Sequence, residues 1–241
     1  PPLPMNQVIA AHGWAGDAMV WRAWQQRFES LGWHWDAVER GYGQREPHQP
    51  SWAELPGQRL VIAHSLGLHL LPETVLQQAD AVVSLAGFAA FVPAGAAGRA
   101  LGVALKGMAS CLGTSDEPAM LRKFLSRCAS PLPLSALPNN PLLRGMHPSG
   151  RQRLQDDLVL LQQCQSLPDG WPEGASVLVV QGEQDAIVCP DSRTQLLQAL
   201  PPSRTDHRLR PDEGHAVVTP AVLDLVAVSY THLRAHETLS Y

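Results

Sequence analysis

The sequence predicts an α/β protein with a mainly parallel sheet covered by helices on both faces. Two observations lead to this prediction. Apolar runs of strand length alternate along the chain with longer segments whose apolar residues recur at helical spacing. Hydrophobic residues also make up 45% of the 241 residues, which is enough for a sizeable core. We therefore expect one large domain, or one domain with an inserted cap.

Six apolar runs are the predicted strands, and the last of them has the weakest pattern. In chain order they cover residues 7–11, 33–39, 60–64, 81–86, 177–180 and 205–209. Helices are predicted over 18–31, where Gly32 supplies the stop, and over 66–78. Pro72 lies inside the second helix and should kink it or shorten its first part, because proline lacks a backbone donor.

Residues 87–174 separate the fourth and fifth predicted strands and show no clear strand pattern. They have the pattern of helices broken by proline and glycine. A connection of that length is uncommon in a simple strand–helix–strand unit. We therefore predict a helical cap over 87–174, inserted into a core formed by residues 5–86 and 175–227.

The last residues, 228–241, resemble the translation of a sequencing adapter and break the apolar pattern of the helix before them. We predict that they are a non-native tail and that the native chain ends near Ala227. An ordinary polar tail is the alternative. In either case, its two histidines, His232 and His236, are not expected to belong to a site.

Composition and charge argue against several classes of protein. The net charge of −4 shows no basic excess for nucleic acid, and no apolar run reaches the ~18 residues of a membrane span. The four cysteines are too widely spaced for a disulfide framework or a zinc site, so buried free thiols are expected. The opening residues lack the pattern of a secretory signal. We therefore expect a cytoplasmic protein, and a monomer.

A strand, a turn and a helix in succession single out Ser65 as a nucleophile. The apolar run that ends in Ala63-His64 leads into Ser65-Leu66-Gly67 and then into a predicted helix. This order builds a tight turn that presents the serine hydroxyl at the end of a sheet, and small residues must flank it. The usual form has glycine where this chain has Ala63. The alternative is an ordinary serine in a turn of small residues.

A serine hydroxyl is a poor nucleophile and needs a base. His215 follows the last predicted strand and comes after the nucleophile in the chain, which is the order such sites use. It is the predicted base. Weaker candidates are His12, His64 and His69, whereas for His147 and His207 a surface or structural role is the simpler interpretation.

The third member of such a site orients the base and stabilises its cation. Asp185 lies just past the fifth predicted strand and precedes His215, so both its position and its order fit. Glu183 and Asp212 are the alternatives for this role. For all three, a solvated loop carboxylate is the competing interpretation.

Acyl transfer also needs hydrogen-bond donors for the developing oxyanion. The backbone N–H of Leu66, at the start of a helix, is the first predicted donor. The second is the backbone N–H of Trp14, in the loop after the first strand, with the indole ring forming a wall of the pocket. The alternative is that Trp14 is only a core residue.

Together these residues resemble the α/β-hydrolase superfamily in element order, from about Val8 to Val226. The matching motifs are His12-Gly13-Trp14, Gly41-Tyr42-Gly43, Ala63-His64-Ser65-Leu66-Gly67, Gly182-Glu183-Gln184-Asp185 and Gly214-His215. Within the superfamily, two further segments are similar to the pimeloyl-acyl-carrier-protein methyl ester esterases of biotin synthesis. They are Met19-Val20-Trp21, shortly after the first motif, and Leu121-Arg122-Lys123-Phe124-Leu125.

The resemblance implies a serine esterase that works through an acyl-enzyme and needs no metal or cofactor. Ser65 would attack an ester carbonyl, His215 would pass the proton to the leaving alcohol, and Asp185 would hold His215. Water activated by His215 would then release the acid. Three features depart from the family pattern: Ala63 replaces glycine, His64 could add a polar group to the pocket, and the leading hairpin is short or missing.

The predicted cap contains eight basic and six acidic residues, whereas the whole chain has a net charge of −4. Arg122, Lys123 and Arg127 fall within about one and a half helical turns, largely on one side. A basic cap beside an ester pocket could dock an acidic acyl-carrier protein, and a solvated helix face is the alternative. Apolar cap residues would line an acyl channel or simply pack the cap: 88–108, Leu112, Met120 and Phe124.

Carboxylic ester hydrolysis, on a small-molecule or carrier-linked acyl ester, is the first interpretation of these residues. Thioesterases and C–C hydrolases use the same triad, and the sequence does not separate them. A dehalogenase is disfavoured, because its nucleophile would be an aspartate at the position of Ser65. From another class, the same fold can serve as a slow or non-catalytic ligand receptor.

Overall fold

A six-stranded sheet runs through the protein, for which the computed structural model describes residues 1–138 and 140–231. Its strands are β1 (Gln7–Ala11), β2 (His34–Ala37), β3 (Arg59–His64), β4 (Ala81–Leu85), β5 (Ser176–Gly182) and β6 (Thr205–Arg210). They lie in the order β2-β1-β3-β4-β5-β6, and every neighbouring pair is parallel. The predicted parallel sheet is confirmed, with small differences at the strand ends.

Eight α-helices lie in the described part of the chain. They are α1 (Arg22–Ser30), α2 (Gly67–Leu70), α3 (Glu73–Leu76), α4 (Gly95–Cys111), α5 (Glu117–Ala129), α6 (Pro148–Gln163), α7 (Pro190–Ala199) and α8 (Pro220–Thr231). The helix predicted over 18–31 begins as a 3-10 turn at Ala18–Trp21. The helix predicted over 66–78 is divided in two, because Pro72 has an extended ψ of 139° between α2 and α3.

Both faces of the sheet are covered by helices. Along β1, Val8 and Ala10 pack into a buried cluster that includes Phe28 of α1. The alternate residues, Ile9 and Ala11, pack into a second cluster on the other face. Because successive side chains of a strand point to opposite faces, this division explains why β1 is buried along its whole length.

Between β4 and β5 the chain forms α4, α5 and α6 with two short 3-10 turns, and the described residues of this segment contain no strand. The three helices share an apolar cluster with Trp14, which follows β1, and Leu66, which follows β3. This insertion, called the cap below, therefore covers the edge where the parallel strands end. No helix among the described residues is both long and apolar enough to cross a lipid bilayer.

At the C-terminal end, α8 continues beyond Ala227 to Thr231. Tyr230 is buried in the same cluster as Val226, on one face of the sheet. The predicted non-native tail thus begins within a helix that packs on the core. Residues 232–241, with His232 and His236, lie outside the described residues.

Candidate active site

Ser65 occupies a strained turn at the end of the central strand β3. Its φ of 55° lies in the left-handed region, which costs energy for any residue with a side chain. The N–H of Ser65 donates to the carbonyl of Leu85 in the next strand at 2.9 Å, which fixes the turn. α2 begins directly afterwards, at Gly67. The backbone thus presents the Ser65 hydroxyl above the carboxyl end of the sheet.

The residues that flank this turn are small because the backbone is crowded there. A Cβ at Gly67 would lie 2.3 Å from the carbonyl oxygen of Ala11, so no larger residue fits. Ala63, where the usual motif has glycine, pairs with Ala11 in β1 and is buried in an apolar cluster. Its methyl group is accommodated by that cluster, so the departure from glycine does not prevent the turn.

Asp185 and His215 meet at the same edge of the sheet. Asp185 follows β5, His215 follows β6, and a hydrogen bond of 2.9 Å joins Asp185 Oδ2 to His215 Nδ1. Both side chains are nearly inaccessible, with exposed fractions of 1% and 3%. The other carboxylate oxygen of Asp185 accepts from the N–H groups of Ile187 and Val188. This arrangement holds the carboxylate in one orientation.

The charge state of Asp185 follows from these contacts. Burial raises the pKa of Asp185, but the adjoining His215 ring and the two backbone donors lower it by more. The pKa therefore lies below its ordinary value, and the group is a carboxylate at neutral pH. The two alternatives from the sequence, Glu183 and Asp212, are exposed and make no hydrogen bond to His215 in the described structure.

Ser65 and His215 are not joined by a hydrogen bond in the described structure, in contrast to His215 and Asp185. Ser65 is 8% exposed, and its hydroxyl faces a cavity. Catalytic hydrogen bonds in unliganded enzymes are often long and shorten when substrate binds. The His215 ring is therefore oriented by Asp185, while the Ser65 hydroxyl has no hydrogen-bond partner among the described residues.

The loop after β1 approaches Ser65 closely. A Cβ at Gly13 would lie 3.1 Å from Ser65 Cβ. The Gly13 carbonyl accepts from His12 Nδ1 at 2.8 Å and from the Gly16 N–H at 3.1 Å. Because a peptide group is planar, these bonds also fix the direction of the Trp14 N–H. Among the described residues, neither that N–H nor the one of Leu66 has an acceptor, so both donors are available to an oxyanion.

A cavity of about 480 Å³ opens from Ser65 into the cap. Its walls are mainly apolar and include Trp14, whose indole N–H donates to the Leu154 carbonyl at 2.9 Å. The predicted Leu112 does not line it, whereas these predicted channel residues do: Phe91, Leu101, Ala104, Leu105, Gly107, Met108, Met120 and Phe124. Ala186 and Ile187 also line it and were not predicted from the sequence. Their position directly after Asp185 could have indicated that they lie near the site.

A second cavity, of about 340 Å³, lies between the loops after β1 and β2 and is lined by Asp17, Glu39 and Arg45. It contains none of the three candidate catalytic residues. In the described part of the chain no cluster of histidine, cysteine and carboxylate side chains is arranged to hold a metal ion.

Comparison with known proteins identifies the fold. No protein-family model and no curated protein matches the sequence. Solved structures match over nearly all of it. One is an esterase from Exiguobacterium antarcticum, with a TM-score of 0.67 and 14% identity, covering 96% of this chain and 92% of that one. Another is MGS-M2, an alpha/beta hydrolase enzyme from a Medee basin deep-sea metagenome library, with a TM-score of 0.64, 15% identity and coverages of 95% and 90%.

The chain has the α/β-hydrolase fold. A third similar structure, the meta-cleavage product hydrolase of Pseudomonas fluorescens IP01, has a TM-score of 0.64 and 14% identity, with coverages of 95% and 92%. The predicted fold class is therefore confirmed.

The cap carries the three basic residues predicted to contact a carrier protein, and all three are exposed. Lys123 and Arg127, one helical turn apart, line the cavity that contains Ser65, whereas Arg122 does not. The end of α5 also contacts the loops that follow β5 and β6. Arg127 donates to the Ala186 carbonyl at 2.9 Å, and the Ala216 N–H donates to the Cys128 carbonyl at 3.2 Å.

The competing histidines have other partners. His12 is buried, and its two ring nitrogens bond the Gly13 carbonyl and the Arg40 N–H. His69 donates to the Phe88 carbonyl, and His147 caps α6. His207 bonds the side-chain oxygen of Gln181. His64, which the sequence suggested as a polar group in the pocket, does not line the cavity.

Proposed function

We propose that the protein is a serine hydrolase of carboxylic esters that works through an acyl-enzyme. The observation that carries this proposal is the buried Asp185–His215 pair at the strained Ser65 turn, beside an apolar cavity. The similar structures include an esterase and a meta-cleavage product hydrolase, which supports hydrolytic chemistry in general.

In this mechanism the Ser65 hydroxyl attacks the ester carbonyl while His215 takes its proton. The backbone N–H groups of Trp14 and Leu66 stabilise the oxyanion of the tetrahedral intermediate. His215 then passes the proton to the departing alcohol, leaving an acyl group on Ser65. Asp185 keeps the imidazole in the required tautomer and stabilises its cation. Water activated by His215 attacks the acyl group and regenerates the serine.

Labelling with a fluorophosphonate tests the nucleophile. We expect one covalent adduct per chain, located on Ser65 by peptide mapping, because the reagent reports a serine activated by a base. Labelling at another serine, or none under conditions that label a known serine esterase, would contradict the proposal. A matched panel of a short p-nitrophenyl ester and the corresponding acyl thioester then separates esterase from thioesterase preference.

For the substrate, we propose an acyl ester with an apolar chain, carried by an acyl-carrier protein, as in the pimeloyl-acyl-carrier-protein methyl ester esterases. The apolar cavity is suited to such a chain, and the exposed Lys123 and Arg127 at its wall suit the acidic surface of a carrier. Arg122 lies on the same helix but outside the cavity wall, so it would contact a carrier without contacting the acyl chain.

Lys123→Glu, alone and combined with Arg122→Glu, tests carrier docking. We expect kcat/KM for a carrier-linked acyl ester to fall about tenfold or more, with little change for p-nitrophenyl butyrate, because a small ester needs no docking surface. Lys106→Glu, on the exposed side of α4 and outside the cavity wall, is the matched control. Arg127 is unsuitable for this test, since it also holds the loop after Asp185. Equal losses on both substrates would argue against docking.

A further inference from the structure

His64 precedes the nucleophile in the chain, yet its side chain is directed to the base. His64 Nε2 lies 2.9 Å from the main-chain carbonyl oxygen of His215, a residue 151 positions later. The two imidazole rings lie 5.0 Å apart between centroids and are inclined by 43°. Because a carbonyl can only accept, His64 Nε2 carries the proton and donates it to this bond.

The His64 ring stays neutral beside the base. Burial of the ring and the neighbouring His215 lower the pKa of His64 to about 3. At neutral pH the ring is therefore a hydrogen-bond donor without a charge. It does not repel the imidazolium that forms on His215 during the reaction, and it does not compete for the serine proton.

The two histidines adjoin strands that differ in pairing and in burial. His64 is the last residue of β3, which is paired on both sides, with β1 and with β4. His215 follows β6, which lies at the edge of the sheet and whose residues are mainly exposed. An edge strand with few buried contacts holds its following loop less firmly than a central strand does.

The other contacts of the His215 backbone do not lead to the nucleophile. Its carbonyl also accepts from the Val217 N–H within the same loop. The next residue, Ala216, donates to the Cys128 carbonyl in the cap, and Gly214 packs against the carbonyl of Ser130. Among these contacts of residues 214–217, the bond to His64 is the one that reaches the strand carrying Ser65.

We propose that His64 is a positioning residue that ties the loop of the catalytic base to the strand of the nucleophile. It acts through His215 and touches neither substrate nor reacting atoms. The inference rests on the proposed function, because it assigns His215 the role of the base. A displacement of about 1 Å in a catalytic group is enough to lower a rate by about a hundredfold, so a bond with this geometry matters for turnover.

Comparison of His64→Leu with His69→Leu tests the proposal. Both substitutions remove a histidine that donates to a backbone carbonyl, since His69 donates to Phe88 at 2.8 Å. We expect His64→Leu to lower kcat for p-nitrophenyl butyrate about tenfold or more while KM stays nearly constant, because His64 lies outside the cavity. His64→Gln, whose amide can donate, should recover part of kcat. His69→Leu should retain kcat within about twofold.

Two further measurements separate positioning from general destabilisation. In a His215→Ala background, His64→Leu should cause no further loss, because two residues that act through one step are not additive. Amide exchange of residues 211–219 should be faster in His64→Leu than in His69→Leu at equal unfolding midpoints.

The proposal is overturned if the two leucine variants have equal kcat, if KM changes in place of kcat, or if exchange of the 211–219 loop is the same in both. If the wild type shows no turnover that depends on Ser65, the proposed function fails. The exchange measurement then still decides whether His64 holds the loop, so the two failures are distinguishable.

Discussion

Ser65→Ala is expected to lower kcat for p-nitrophenyl butyrate by about 10⁴-fold or more, because it removes the hydroxyl proposed to form the acyl-enzyme. The substitution should leave the fold intact. Alanine keeps the Cβ that lies against Gly13, and it takes the φ of 55° at the same backbone cost as serine. The measurement is steady-state turnover together with the thermal unfolding midpoint, and the midpoint should change by only a few degrees, roughly the effect of 1 kcal/mol or less.

Ser84→Ala is the matched control for this experiment. The Ser84 hydroxyl is also buried, in β4, and has no hydrogen-bond partner among the described residues. Its removal should leave kcat unchanged. Retention of turnover in Ser65→Ala would show that Ser65 is not the nucleophile. Absence of turnover in the wild type, combined with an unfolding midpoint raised by an acyl ester, would favour the ligand receptor over the enzyme.

Asp185→Asn is expected to lower kcat by about 10³- to 10⁴-fold, with little change in KM. The reason lies in the fixed environment of this side chain. The N–H groups of Ile187 and Val188 require an oxygen at the Oδ1 position, so the asparagine NH₂ group must face His215. His215 Nδ1 then has to accept, its proton moves to Nε2, and Nε2 can no longer accept the proton of Ser65.

The turnover of Asp185→Asn is best compared with that of Glu183→Gln, which makes the same chemical change at an exposed residue two positions earlier. Glu183→Gln should keep wild-type kcat. KM should be preserved in both variants, because neither side chain lines the cavity. A loss smaller than about tenfold in Asp185→Asn would mean that Asp185 does not set the tautomer of the base.

Local patterns made the core of the site predictable. The apolar run of β3, the small residues around Ser65 and the following helix are all adjacent in sequence, so the turn could be predicted from them. Asp185 and His215 each follow a strand, and parallel strands bring their carboxyl ends to one edge. The meeting of the loops after β5 and β6 can therefore be predicted from the parallel sheet alone, before any side-chain contact is known.

Features that depend on tertiary packing were harder to predict. In the structure α8 runs past Ala227 to Thr231 with Tyr230 packed on the core, a contact that the pattern of this segment does not indicate. The bond from His64 to the His215 carbonyl joins residues that are remote in sequence, so no local pattern indicates it.

The contacts at the end of α5 limit how far the cap can be treated as an interchangeable module. Arg127 donates to the loop that carries Asp185, and the Cys128 carbonyl accepts from the loop that carries His215. The last turn of α5 is therefore attached to both loops. A chimaera that takes its cap from another protein with the α/β-hydrolase fold would replace these contacts along with the cavity wall. Grafting that changes substrate preference would therefore have to keep residues 127–131 and exchange only the helical surfaces that face the acyl chain.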